Sequence, residues 1–138
     1  MQLLTNVPLL IVPFIAYNLA ALGLIGGGAF PWQTEVMTIN MISGAVWRMN
    51  LGDLMVLLAL FLLFFEILKA TRIGAHTILD HLFSTFVFIA YLVEFLLVRA
   101  AADSVFVILM AITFVDVVAG FSVSIRSATR DVSVGGPY

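Results

Sequence analysis

Among the ionisable residues of this chain, Asp116 has the surroundings least able to tolerate a charge. It follows Phe114 and Val115 and precedes Val117 and Val118 in a long apolar run. The nearest basic residue in that run is Arg126, ten positions on, or about 15 Å along a helix. A charged group at such a position costs about 2.5–3.5 kcal/mol on membrane-insertion scales. It therefore needs a partner, a water or a proton. Glu66 and Lys69 lie in a second apolar run, three residues apart on one helical face, in the favourable acid-before-base order. They can neutralise one another, or Lys69 can snorkel towards headgroups. Asp53 and Asp103 each open an apolar run, and Glu66 and Asp116 each follow thirteen residues later. If both helices start level, the two carboxyls share one depth and can share a proton. An Asp116–Lys69 pair, or a bond from Asp116 to a Ser or Thr hydroxyl, would instead fix the register of the helices.

Two further groups of charges sit nearer the ends of the apolar runs. Arg72, Asp80 and His81 form one, in which His81 can titrate near neutral pH or serve in capping and ion pairing. Glu94, with Tyr91 three residues before it, forms the other and is expected to bind Arg99, Arg48 or water. No catalytic constellation emerges, because no Ser–His–acid spacing and no nucleotide fingerprint is present. His76 and His81 are five apart and cysteine is absent, which is poor metal-ligand spacing, so no metal and no cofactor is expected. Gly26-Gly27-Gly28 lacks the Lys-Ser/Thr of a phosphate loop. A net charge of −2 without a basic patch argues against nucleic acid.

The elements that hold these residues follow from composition. Of the 138 residues, 63% are hydrophobic and 10% charged, too few charges to cover a soluble domain of this size. The bilayer is therefore the expected environment. Four spans are expected, over 3–25, 53–72, 77–98 and 104–125, in a single domain, with a polar tail over 126–138. The first is read as a retained span, since no basic n-region or cleavage site marks a signal peptide. Pro8 and Pro13 would kink it, Ala16, Ala20 and Gly23 offer a small-residue face, and Gly26-Gly27-Gly28 would end it. Phe30, Pro31 and Trp32 fit an interfacial aromatic belt. Residues 34–52 are too short and polar to cross. Their period-two pattern, interrupted by Ser43-Gly44, predicts a β-hairpin over about 35–50, with 35–42 pairing to 45–50 and Trp47 at the headgroups. An amphipathic interfacial helix is the rival. Asp53 is expected to cap the second span, Gly74 to stop it, and Gly135-Gly136-Pro137 to leave the tail end disordered.

Lys69, Arg72, Arg126 and Arg130 lie on one side of this arrangement, and Arg48 and Arg99 on the other. The excess predicts cytoplasmic termini and an outer hairpin. Arg72, Asp80 and His81 then form a cytoplasmic mouth, while Arg48, Glu94 and Arg99 belong to the outer interface. The segments Glu66–Arg72, Asp80-His81, Leu92–Val98 and Asp116–Arg126 resemble a family of small inner-membrane proteins of alphaproteobacteria, over about residues 50–131. The resemblance implies a bacterial inner membrane and no particular chemistry. The fold class expected is an all-α four-helix membrane bundle with an extracytoplasmic hairpin. The expected role is a structural or accessory subunit, not an enzyme, that self-associates or docks to a larger membrane complex. The alternative is a small proton or ion conductor using Asp116 and Glu66. A third reading, an intramembrane enzyme acting on lipid or quinone, has only the Asp80–His81–Arg72 cluster to offer.

Overall fold

A computed structural model describes residues 6–25, 31–72 and 76–134. Gly26-Gly27-Gly28, Phe30, Gly74 and Gly135-Gly136-Pro137 lie outside the described residues, as do the side chains of His76 and Arg130. Helix α1 spans Ile11–Ala21, only 11 residues. At about 1.5 Å per residue it reaches roughly half of a hydrocarbon core. Both ends have local causes. Pro8 has no N–H and stands before the helix, while Pro13 falls in the first turn, where a missing donor costs little. At the other end Gly23 adopts φ +77°, the left-handed conformation open to glycine. Gly23 N–H then donates to Ala20 (3.0 Å) and Leu24 N–H to Leu19 (2.9 Å), the paired bonds of a Schellman stop. Gly23 thus ends the helix before the expected glycine triplet and leaves the small-residue face.

Three other helices are long and apolar enough to cross a membrane, over Leu51–Ala70, Thr77–Leu97 and Ser104–Arg126. They belong to α2 (Leu51–Ala70), α3 (His76–Leu97) and α4 (Ser104–Val134). The expected polar tail is helical as far as Val134.

The hairpin forms as the alternation predicts. Strand β1 (Glu35–Asn40) pairs antiparallel with β2 (Val46–Asn50), setting Ile39 opposite Trp47 and Thr38 opposite Arg48. Gly44 at φ +85° makes the turn, closed by Met41 N–H to Ala45 O at 2.8 Å. Strand β2 runs directly into α2. Asn50, not Asp53, is the N-cap: its side chain accepts from Asp53 N–H at 2.8 Å, and Asp53 returns a bond to Asn50 N–H at 3.0 Å. The correction follows from geometry, because a reciprocal capping box places its acid at the third helical position.

Helices α2 and α4 run parallel. Gly52 meets Val105 near their starts, and Ala70 meets Ser124 near their far ends. The buried positions of α2 are Gly52, Ala59, Glu66 and Ala70, mostly small, so the helices approach closely. Phe106, Leu109, Thr113 and Asp116 form the facing buried stripe of α4, three or four residues apart. Helix α3 returns against α4. At the hairpin end an aromatic cluster closes the bundle. Tyr17 stacks on Trp32 at 4.6 Å and meets the edge of Phe106 at 4.9 Å; Tyr91 packs against Phe106 and Phe14. Trp32 is 4% exposed, a core residue and not a belt residue. Phe61, Phe64, Phe86 and Leu96 face outward, as a lipid environment requires.

Candidate functional site

Glu66 and Lys69 form an ion pair at 3.2 Å, as their spacing predicts, and Glu66 is 5% exposed. Their further partners were not legible in their spacing. Residues 6–10 precede α1 without regular helix. Glu66 Oε1 accepts the N–H of Leu9 at 2.5 Å, and Lys69 Nζ donates to the carbonyl of Val7 at 3.3 Å. Tyr91 donates to the carbonyl of Leu10 at 3.3 Å. Irregular backbone packed against an apolar bundle must find partners inside the protein. The pair thus grips a non-helical arm by both kinds of backbone group, one residue either side of Pro8.

A small polar cavity of about 10 Å³ lies beside this clamp. That is about the minimum room for one water. Glu66, Lys69 and Ala70 line it from α2, Thr77, Asp80, His81 and Ser84 from α3, and Asp116 and Gly120 from α4. Asp116 and Glu66 therefore do share one depth, and Asp116 points into the bundle at 5% exposure. Among the described residues Asp116 makes no ion pair, so of the two register-fixing alternatives the Asp116–Lys69 pair does not form, and the hydroxyl partner of Asp116 is Ser84.

His81 is buried, and its ring Nε2 lies 2.5 Å from Ser124 Oγ. Ser124 in turn donates to the carbonyl of Ala70 at 3.2 Å. The Ser124 hydroxyl has one hydrogen, and Ala70 takes it. Nε2 therefore carries the imidazole proton, and in neutral His81 Nδ1 is a bare acceptor. The ring fits because position 120 is glycine: a Cβ there would come within 2.9 Å of His81 Cε1 and 3.0 Å of Nδ1. The His81–Ser124–Ala70 chain ties all three long helices together. Of Asp80, Oδ1 is fully buried and has no hydrogen-bond partner.

The remaining charges take other places than expected. Glu94 accepts from Asn18 Nδ2 at 3.1 Å, so its partner comes from α1 and not from Arg99 or Arg48. Asn18 also donates to Phe14 O, and Tyr17 donates to Ala100 O at 2.9 Å, which fastens α1 to the bundle. Arg48 sits on the hairpin near Glu35 at 3.9 Å, largely exposed. Arg99 and Arg72 are exposed, and the Arg72 carbonyl accepts from Thr77 at 2.9 Å. The three-residue grouping of Arg72, Asp80 and His81 thus separates, with Asp80 and His81 lining the cavity and Arg72 outside its lining.

Ser84, Gly120, Ser124 and Asn18 complete these arrangements. Ser124 lies eight residues after Asp116, and no spacing in the sequence marks it out from the other hydroxyls of the apolar runs. Among the described residues no group of three His, Cys, Asp or Glu side chains converges to hold a metal ion. The cavity can take a proton or a water. No protein family, curated protein or solved structure matches the chain.

Proposed function

We propose that this chain is a small integral membrane protein that serves as a structural or accessory subunit, self-associating or docked to a larger membrane complex. The observation that carries the reading is the lateral groove left by the short α1. It has a volume of about 550 Å³ and lies between the arm and α3, lined by Val7, Pro8, Ile11, Phe14, Phe83 and Val87 among others. A bundle of three long helices and one short one presents this apolar cleft beside an otherwise packed core. The buried charges support the same role. Glu66 and Lys69 are engaged with backbone, which is what holding an architecture requires and what a transport path does not.

The resemblance of residues 50–131 supports a bacterial inner membrane, and the Lys and Arg bias supports cytoplasmic termini with the hairpin outside. Mass measurement in mild detergent tests assembly. The full chain should run as a multimer or co-purify with a larger membrane protein. Ala90→Trp, which fills the groove lining, should release a monomer. A wild-type chain that is monomeric and free would sink the reading.

A second reading is a small proton or ion channel, favoured by the convergence of Glu66 and Asp116 on one polar cavity. It requires flux into liposomes that disappears in Asp116→Asn. The apolar core between the cavity and the hairpin end counts against it.

A further inference from the structure

The polar cavity is short of hydrogen-bond donors. Five titratable side chains face it: Glu66 and Lys69 from α2, Asp80 and His81 from α3, and Asp116 from α4. Three are carboxyls and one is an ammonium. Two of the three Lys69 N–H donors already serve Glu66 and Val7 O. The other donors are also engaged, Thr77 with Arg72 O, His81 Nε2 with Ser124, and Ser124 with Ala70 O. Ser84, 5% exposed, is the one cavity hydroxyl not drawn to a backbone carbonyl among the described bonds, and its one hydrogen serves Asp116. Against this stand the two oxygens of Asp116, which share the single Ser84 hydroxyl, those of Asp80, and Nδ1 of His81. The buried, unpartnered Oδ1 of Asp80 is the visible sign of the deficit. A buried acceptor without a donor costs about 1–3 kcal/mol, and more for a charged group.

What the cavity lacks is therefore hydrogen. Metal ions do not answer the need, because the carboxylates do not converge on one point. A proton removes one negative charge and turns one acceptor into a donor. One water, for which the volume suffices, supplies two more. We propose that the cavity is a proton-binding site, in which Asp116 holds one exchangeable proton and one water links it to the unpartnered Oδ1 of Asp80. The route to it is one-sided. Asp80 and Thr77 belong to the first turns of α3, and the Lys69 side chain is 19% exposed, so the site opens at the end away from the hairpin. Towards the hairpin it is closed by buried Thr113, Ile112, Leu109, Phe106 and Tyr91, whose two hydroxyls are bonded to the carbonyls of Met110 and Leu10. The site exchanges a proton with one compartment and passes none across. This goes beyond the subunit role and does not depend on it.

Infrared spectroscopy of the full chain in lipid nanodiscs tests the assignment. A carbonyl stretch of protonated carboxylic acid should be present at about pH 5 and lost by about pH 8, as for a buried carboxyl that keeps its proton above the range of a solvated one. The band should vanish in Asp116→Asn and persist in Asp103→Asn, whose site lies at the other end of α4. In Asp80→Asn one negative charge is gone, and proton affinity at Asp116 should fall about tenfold, one unit in midpoint. This variant carries the test if Asp116→Asn does not fold. Absence of a titrating band in the wild-type protein, or an unmoved band in Asp80→Asn, overturns the site. Proton flux into liposomes that Asp116→Asn abolishes overturns its one-sidedness. A monomeric chain that shows the band would remove the subunit role and leave the proton site standing.

Discussion

The two ends of the bundle solve the same packing problem with opposite materials. At the hairpin end the gap between helices is filled by rings, with Tyr17 stacked on Trp32 and both near Phe106. The polar tips there are few, and each is bonded, as Tyr17 is to Ala100 and Glu94 to Asn18. At the far end the gap is filled by Glu66, Lys69, Asp80, His81, Ser84 and Asp116. Rings contribute through area and shape and tolerate small errors of placement. Buried charges are stabilising only when every partner is present, and they become costly when one is removed. The hairpin end should therefore respond to mutation gradually, and the polar end abruptly.

The largest expected effect is at Glu66. Glu66→Ala strands the Lys69 ammonium and the Leu9 N–H together, and should cost about 3–5 kcal/mol in unfolding from mixed micelles. A loss under about 1 kcal/mol would show that water reaches the clamp and would erase the contrast between the ends.

The glycines sharpen the comparison, since each end has one at a close approach. A Cβ at Gly52 would lie 2.7 Å from Val105 Cγ2 and 3.2 Å from the Trp32 carbonyl, while one at Gly120 meets only the His81 ring within 3.0 Å. Both alanine variants should lose about 1–3 kcal/mol by overpacking. Gly52→Ala should be the worse in thermal melting, because a β-branched side chain and a backbone carbonyl yield less than a ring. Gly120→Ala should also disturb the ring-nitrogen NMR signals of His81, by breaking its bond to Ser124.

Smaller effects belong to the hairpin end. Tyr17→Phe keeps the stack and drops the bond to Ala100 O, a loss of about 1 kcal/mol. Asn50→Ala removes the cap of α2 and should cost about the same, with fraying seen as faster amide exchange at Leu51–Asp53. Arg48→Ala should cost no more than about 0.5 kcal/mol, since its approach to Glu35 is long and solvated.

The parts legible in the residues were those set by local chemistry. Alternation with Ser43-Gly44 gave the hairpin, because strand period and turn preference act within a few residues. Apolar length gave α2, α3 and α4 to within two residues at their starts. The three-residue spacing of Glu66 and Lys69 gave their ion pair, and equal offsets from Asp53 and Asp103 placed Glu66 and Asp116 at one depth. The length of α1 differs from the expected span for a local reason: Gly23, at φ +77°, stops the helix ahead of the glycine triplet.

Partners between elements are another matter. Nothing in the run around Glu66 says that it will hold the N–H of Leu9, fifty-seven residues away. Asn18 finds Glu94 across 76 positions, and Ser124 finds both His81 and the carbonyl of Ala70. Trp32 has the residue type of a headgroup anchor, but its stack on Tyr17 places it in the core. The sequence by itself determined the period of each element, the ends of most of them, and the sign of the charges that must be buried. Only the tertiary structure decided which of those charges meet backbone and which meet a cavity. The physical reason is that a helix or turn is fixed by neighbours in the chain, whereas a buried carboxylate is satisfied by whichever donor the packing brings within about 3 Å.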